Sequence, residues 1–174
     1  APLRSMIRDQ LLAKQSDAKE IYKIMDSCTQ WLSNKKLDYW EGVYSLEKIK
    51  RRIDKKIIYI LKESSNIIGT ITITEERSSY YIDKDNEYFK NPNAKAIFIM
   101  GLAIFPEYMK KGFATKLIEY AENKAKQNGI KYIRFEIFSD DFDLTKFYQN
   151  REYKIVGTRK IMPSCEFHFF EKCL

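Results

Sequence analysis

Apolar residues recur along this chain with two periods, and the switches between them mark the elements. Between Ser16 and Leu32, Ile21, Ile24, Met25, Cys28 and then Trp31 or Leu32 fall on one helical face. Asp17 stands at the start with Glu20 three positions on, the spacing of a capping box. Leu46, Ile49 and Ile53 predict a second amphipathic helix over Tyr44–Lys56, capped by Ser45. Met6–Leu12 is read as a short first strand. Ile57–Glu63 and Ile67–Glu76 read as a hairpin around Ser64–Asn66, with Ile71 and Ile73 alternating with Thr70, Thr72 and Thr74. Residues 77–95 are polar and broken by "KNPNAK".

A strand then runs over Ala96–Phe105. Ala114, Leu117, Ile118, Ala121 and Ala125 form one face of a helix within Gly112–Gly129, and Gly129 occupies the left-handed C-terminal cap position. Ile130–Phe138 is a strand, Asp140–Glu152 a short helix, and Tyr153–Ile161 with Cys165–Leu174 a closing hairpin. The predicted order is β-α-α-β-β-β-α-β-α-β-β. The strand–helix–strand unit from Ala96 to Phe138 implies two parallel strands joined by a right-handed crossover, while the hairpins are antiparallel. The expected class is α/β (α+β): a mixed, mostly antiparallel central sheet of about seven strands with helices on both faces. No repeat or linker appears, so residues 1–174 are expected to form a single domain.

Composition narrows the classes. The chain has 174 residues, 44% hydrophobic and 32% charged, which suits one globular domain. No apolar stretch is long enough to span a bilayer, and "APLRSMIRDQ" lacks a signal-peptide apolar core. Met6 is a plausible natural start, with residues 1–5 a cloning remnant. Three cysteines, Cys28, Cys165 and Cys173, argue against a disulfide framework or a metal site and for the cytoplasm. Net charge is +7, and residues 1–56 carry 13 Lys and Arg against 8 Asp and Glu. The excess centres on Lys48–Lys56. Helical spacing of Leu46, Ile49 and Ile53 inside that run favours a solvated basic helix face over a nucleic-acid patch, and no nucleic-acid partner is expected.

The stretch "GLAIFPEYMKKGFAT" (101–115) ends a strand at Pro106, passes Lys110 and Lys111, and opens a helix at Gly112. A helix start offers unpaired N–H groups and partial positive charge, so it is suited to a phosphate. Gly112 lets backbone approach an anion, and Ala114 keeps the first turn open. "LAIFPEY" followed by "MKKGFA" resembles the pyrophosphate-binding motif of the GNAT superfamily of N-acetyltransferases, Gln/Arg-x-x-Gly-x-Gly/Ala, with Met109 departing at the first position. "FSDDFDLTKFYQNREYKIVG" resembles the family's second region. It keeps the tyrosine as Tyr148 and an aromatic at Tyr153, and it places Asp141 where Asn is common and Glu152 where Gly is usual.

The resemblance implies acetyl-CoA as cosubstrate, no metal, and attack of a primary amine of a small molecule or peptide on the thioester. It selects Leu102, Ala103 and Ile104 for the pantetheine arm, and Lys110, Lys111, Gly112, Phe113, Ala114 and Thr115 for the pyrophosphate. Asp141 is the remaining candidate contact to the arm. Tyr148 is selected as general acid for the leaving thiolate. An alkylamine near pKa ~10.4 costs about 4–5 kcal/mol to deprotonate at pH 7, so a base is useful; Glu75, Glu76 and Glu136 are candidates that spacing does not separate. His168, the only histidine, is read as structural or surface. Trp31, Tyr39, Trp40 and Tyr44 either wall an acceptor pocket or staple the first two helices. Glu75, Glu76, Asp83, Asp85 and Glu87 form an acidic segment that would favour a cationic amine. A monomer or homodimer is expected. The alternative function is a catalytically weak or inactive acyl-CoA-binding module of the same fold.

Overall fold

The computed structural model describes residues 7–174, with side chains from Leu12 onward. Met6 and the proposed remnant at 1–5 lie outside the described residues. Seven strands and four α-helices follow in order: β1 (Ile7–Leu12), α1 (Ala18–Asn34), α2 (Leu46–Asp54), β2 (Ile58–Glu63), β3 (Asn66–Thr74), β4 (Ala96–Ile104), α3 (Phe113–Gln127), β5 (Tyr132–Phe138), α4 (Phe142–Gln149), β6 (Lys154–Met162) and β7 (Cys165–Cys173). The order matches the one predicted. β4 pairs with β5 in parallel, from Ala96 opposite Tyr132 to Phe98 opposite Arg134. β1–β2, β2–β3, β5–β7 and β6–β7 are antiparallel. No helix among the described residues is long and apolar enough to cross a membrane.

The chain divides into two compact units. The first comprises residues 1–73 and 100–121. Its core is built from α1, α2 and β2: Ile21, Ile24, Met25, Cys28, Ile49, Ile53, Ile58 and Ile60 are all buried together. The first six are residues the helical spacing selects. Ser45 caps α2, its hydroxyl accepting from the Lys48 amide at 3.1 Å. Asp17 does not cap α1. Its carboxylate accepts from the Lys14 amide at 2.8 Å and closes a 3-10 turn before the helix, so the capping-box reading fails. β3 is also more deeply buried than its alternation suggests. Thr70 and Thr72 are buried, and their hydroxyls are satisfied: Thr70 donates to the Tyr59 carbonyl at 3.0 Å, and Thr72 accepts from Arg52 at 3.3 Å.

The second unit comprises residues 74–99 and 122–174. Its sheet presents aromatic residues on both faces because β7 alternates. Phe170 stacks with Phe135, beside Tyr148 and Tyr153, while Phe167 and Phe169 pack with Phe89 from the polar segment. That segment, expected to be irregular, contains a 3-10 turn at Asp83–Tyr88. Arg134 and Glu171 are buried as a pair at 2.7 Å. Arg134 also donates to the Asn91 carbonyl at 2.9 Å, and Glu171 accepts from the Lys90 amide at 3.3 Å. Each partner thus has one hydrogen bond beyond the pair itself, which offsets part of the cost of burying the two charges.

Breaking that pair by Arg134→Met is expected to lower stability by about 3–5 kcal/mol, because it strands a buried carboxylate. Urea denaturation measures the loss; a change below about 1 kcal/mol would refute the account.

Candidate active site

In the first unit, β4 bends at Gly101, which has φ 57° in mid-strand. A Cβ there would lie 3.1 Å from the Met25 methyl and 3.1 Å from the Tyr44 hydroxyl, so both conformation and space require glycine. Beyond it Leu102 is half-buried, and Ala103 and Ile104 are buried. The Cys28 thiol donates to the Ile104 carbonyl at 3.1 Å, and burial pushes that thiol up to about 12. Cys28 is therefore an inert neutral donor that holds α1 against β4.

Pro106–Tyr108 forms a 3-10 turn, and two left-handed residues follow, Lys110 at φ 61° and Gly112 at φ 86°. A Cβ on Gly112 would meet nothing within 4 Å. The space there is open, and left-handed residues in such a turn suit an anion-binding concavity. Phe113 is buried and anchors the first turn of α3, with its ring edge-on to Tyr108. Lys110 and Lys111 are exposed, and Lys111 lies over the Tyr108 ring at 5.6 Å. Ala114 and Thr115 are half-buried in that turn. Met109, the departure from the motif, is half-buried against the core of the first unit. Its side chain serves packing where a Gln or Arg would offer a polar group.

Trp40 and Tyr44 stand edge to face at 5.1 Å and pack on the α1–α2 core. They also line a cavity of about 480 Å³ with Tyr22, Met25, Asp26 and Glu41. This pair therefore both packs between the two helices and lines a cavity. Trp31 instead carries Lys35 over its ring at 3.9 Å and is not among the residues lining the cavity.

The basic run is not wholly solvated. Ile49 and Ile53 are buried as predicted, but Lys48 and Arg52 are half-buried. Arg52 lies over the Tyr44 ring at 5.6 Å, donates to Thr72 at 3.3 Å and approaches the Met100 sulfur at 3.8 Å. No carboxylate pairs with it among the described residues. The sequence reading missed Arg52 because helical periodicity marks apolar positions, and an inward arginine looks like its solvated neighbours.

In the second unit, Tyr148 on α4 is buried, its ring 4.3 Å from Phe135. Burial raises its phenol above the ordinary value, the Asp141 carboxylate adds to this, and Arg151 opposes it. No described residue hydrogen-bonds its hydroxyl, and that oxygen is not among the buried polar atoms left without a partner. Asp141 caps α4, accepting from the Leu144 amide at 3.1 Å. Glu136 on β5 is half-buried and accepts from the Ser78 hydroxyl at 2.5 Å. Burial pushes its carboxyl up to about 7, the Ser78 bond works against that, and Asp85 adds a small rise. Glu75 and Glu76 are exposed. Three-dimensional placement thus separates three carboxylates that spacing could not. Asp85 is buried and gripped by Arg159 at 2.7 and 2.9 Å, so its charge is matched internally. Tyr81, with a buried hydroxyl lacking a partner, was not anticipated. His168 is half-buried on β7 and bonds Thr158 at 2.8 Å, a structural position. No group of three or more His, Cys, Asp or Glu that could hold a metal occurs among the described residues.

The family model for the acetyltransferase (GNAT) family matches residues 18–153. An S-alkylcysteine N-acetyltransferase of Bacillus subtilis is 26% identical over 120 residues, 69% of this chain; the match spans 62% of that protein's length. A GNAT-family acetyltransferase structure from Listeria monocytogenes superposes with TM-score 0.75 at 17% identity, covering 97% of this chain and 94% of that one. The PaiA N-acetyltransferase of Thermoplasma acidophilum, solved with coenzyme A, gives TM-score 0.70 at 18% identity, covering 97% and 99%.

The raised Glu136 carboxyl fixes the sign of a pH effect. The native state holds this proton more tightly than the unfolded chain, so stability falls as pH rises from about 4.5 to about 7. Glu136→Gln is expected to match the wild type near pH 4 and exceed it by about 1–3 kcal/mol at pH 8. Denaturation midpoints across that range test this; parallel pH slopes in the two proteins would rule it out.

Proposed function

The chain belongs to the acetyltransferase (GNAT) family, and we propose that it transfers the acetyl group of acetyl-CoA to a primary amine of a small molecule or peptide. The observation that carries this is the pair of left-handed residues, Lys110 and Gly112, that shapes an open turn ahead of α3. The turn fits a pyrophosphate: backbone amides and the α3 start provide donors, and Lys110 and Lys111 provide charge. Leu102, Ala103 and Ile104 supply strand backbone for an amide-rich arm, although the Ile104 carbonyl already accepts from Cys28.

Acetyl-CoA supplies a thioester carbonyl carbon as electrophile. The amine nitrogen bonds to that carbon as the carbon–sulfur bond breaks, and the nitrogen sheds one further proton as the amide forms, balancing the proton that the sulfur gains. A carboxyl poised near neutrality, as that of Glu136 is, suits taking a proton from the incoming ammonium. Tyr148, which the family resemblance selects as general acid, remains protonated across neutral pH, the state that a proton donor to the departing sulfur needs. These two features favour an enzyme over a passive acyl-CoA-binding module. The Bacillus relative is named for acetylation of an S-alkylated amino acid, which supports including free amino acids among candidate acceptors.

Calorimetry with acetyl-CoA is expected to show binding at micromolar to millimolar concentration, weakened at least about 10-fold by Gly112→Val, whose side chain resists the left-handed backbone. No binding by folded wild type at millimolar ligand would overturn the proposal. Tyr148→Phe is expected to lower turnover by about 100-fold with cofactor affinity retained. Cofactor binding without thiol release for any amine would instead support the passive module.

A further inference from the structure

A half-buried guanidinium without a carboxylate partner is unusual, because the cost of removing charge from water is normally offset by pairing. Arg52 is such a group. Its hydrogen bonds are weak, at 3.3 Å to a hydroxyl and 3.8 Å to a thioether. Its surroundings are positive. Lys48 lies over the same Tyr44 ring at 5.7 Å and donates to the Val43 carbonyl at 3.1 Å. Its ammonium is pushed down by burial first, then by the Arg52 and Arg51 charges.

The location matters as much as the charge. Arg52 touches Met100, the residue before the Gly101 bend, and Tyr44, which edges the 480 Å³ cavity. With a pyrophosphate at residues 110–115 and the arm laid back along Ile104 to Leu102, the reactive end falls toward Gly101. An acceptor amine must then stand beside Met100, within reach of groups around Tyr44. We propose that Arg52, aided by Lys48, binds the α-carboxylate of a free amino-acid acceptor whose side chain enters the cavity that Met25, Trp40 and Tyr44 line together with the polar Asp26, Gln30 and Glu41. This rests on the acetyl-transfer reading. It departs from the cationic acceptor expected from the acidic segment 75–87. A guanidinium fork matches a carboxylate bidentately, and the aromatic wall accepts a side chain of moderate size. The Arg52 contacts to Thr72 and Met100 are weak enough to yield to a charged partner.

The test compares L-methionine, L-methioninamide and 3-(methylthio)propylamine by thiol release with acetyl-CoA. Wild type is expected to prefer methionine by at least about 10-fold in kcat/KM. In Arg52→Gln the methionine-to-amine ratio is expected to fall about 10- to 100-fold, the scale of one or two charge-assisted hydrogen bonds, and Arg52→Lys to retain part of it. Acetyl-CoA titration of each variant reports whether the cofactor site is folded; if a variant fails that check, the wild-type comparison still decides. Thiol release that ignores the carboxylate overturns this inference alone. No release with any amine, methionine included, overturns acetyl transfer and this inference with it.

Discussion

Gly101 holds a left-handed backbone in the middle of β4, with Met25 and Tyr44 packed where a side chain would begin. The strand has two duties on either side of that residue. Before it, Ala96–Phe98 pair in parallel with β5. After it, the chain passes Ile104, held by Cys28, to Phe105, whose amide bonds the Ile68 carbonyl at 2.9 Å. The bend thus sets the line that runs through the 3-10 turn into the cradle at Lys110 and Gly112. It also brings β4 against α1 and Tyr44, where the cavity and Arg52 lie.

Charge is distributed by a consistent physical rule. Where a buried charge has no task beyond structure, it is paired: Arg134 with Glu171, and Asp85 with Arg159. Glu136 and Arg52 depart from the rule. Glu136 has only the Ser78 hydroxyl and responds by holding its proton more tightly. Arg52 has a hydroxyl, a sulfur and the Tyr44 ring but no carboxylate among the described residues, and a guanidinium has no accessible neutral form. A carboxyl that titrates near neutrality suits proton transfer, and a cation that stays charged suits anion recognition.

Packing explains the departures from the family motif as far as the surroundings reach. Met109 lies against the α1–α2 core, so its position is apolar for a local reason. Glu152 has φ 67°, the left-handed conformation for which the family's glycine is suited, and here a longer residue accepts the strain after α4. Asp141 is occupied as the α4 cap, which accounts for a short polar residue there independently of any ligand.

Periodicity and punctuation determined the element order, because burying one face of a helix or strand demands spacing that can be read directly. Ile49, Ile53, Leu117 and Ala121 are buried where that spacing places them, and Ser45 and Gly129 cap where their chemistry suits. The cradle was legible for the same reason: Gly112 is a local backbone requirement. Proton affinities and the partners of charges were not legible. Glu75, Glu76 and Glu136 are the same side chain in sequence, and only burial on β5 and the Ser78 hydroxyl, 58 positions away, distinguish the third. Asp17 chose the amide of Lys14 over capping α1, and Arg52 turned inward to Tyr44 and Met100, because those choices depend on neighbours the chain supplies only after folding. The sequence determines which surfaces must be buried; the tertiary structure decides which polar groups are buried with them, and therefore which are left to bind and react.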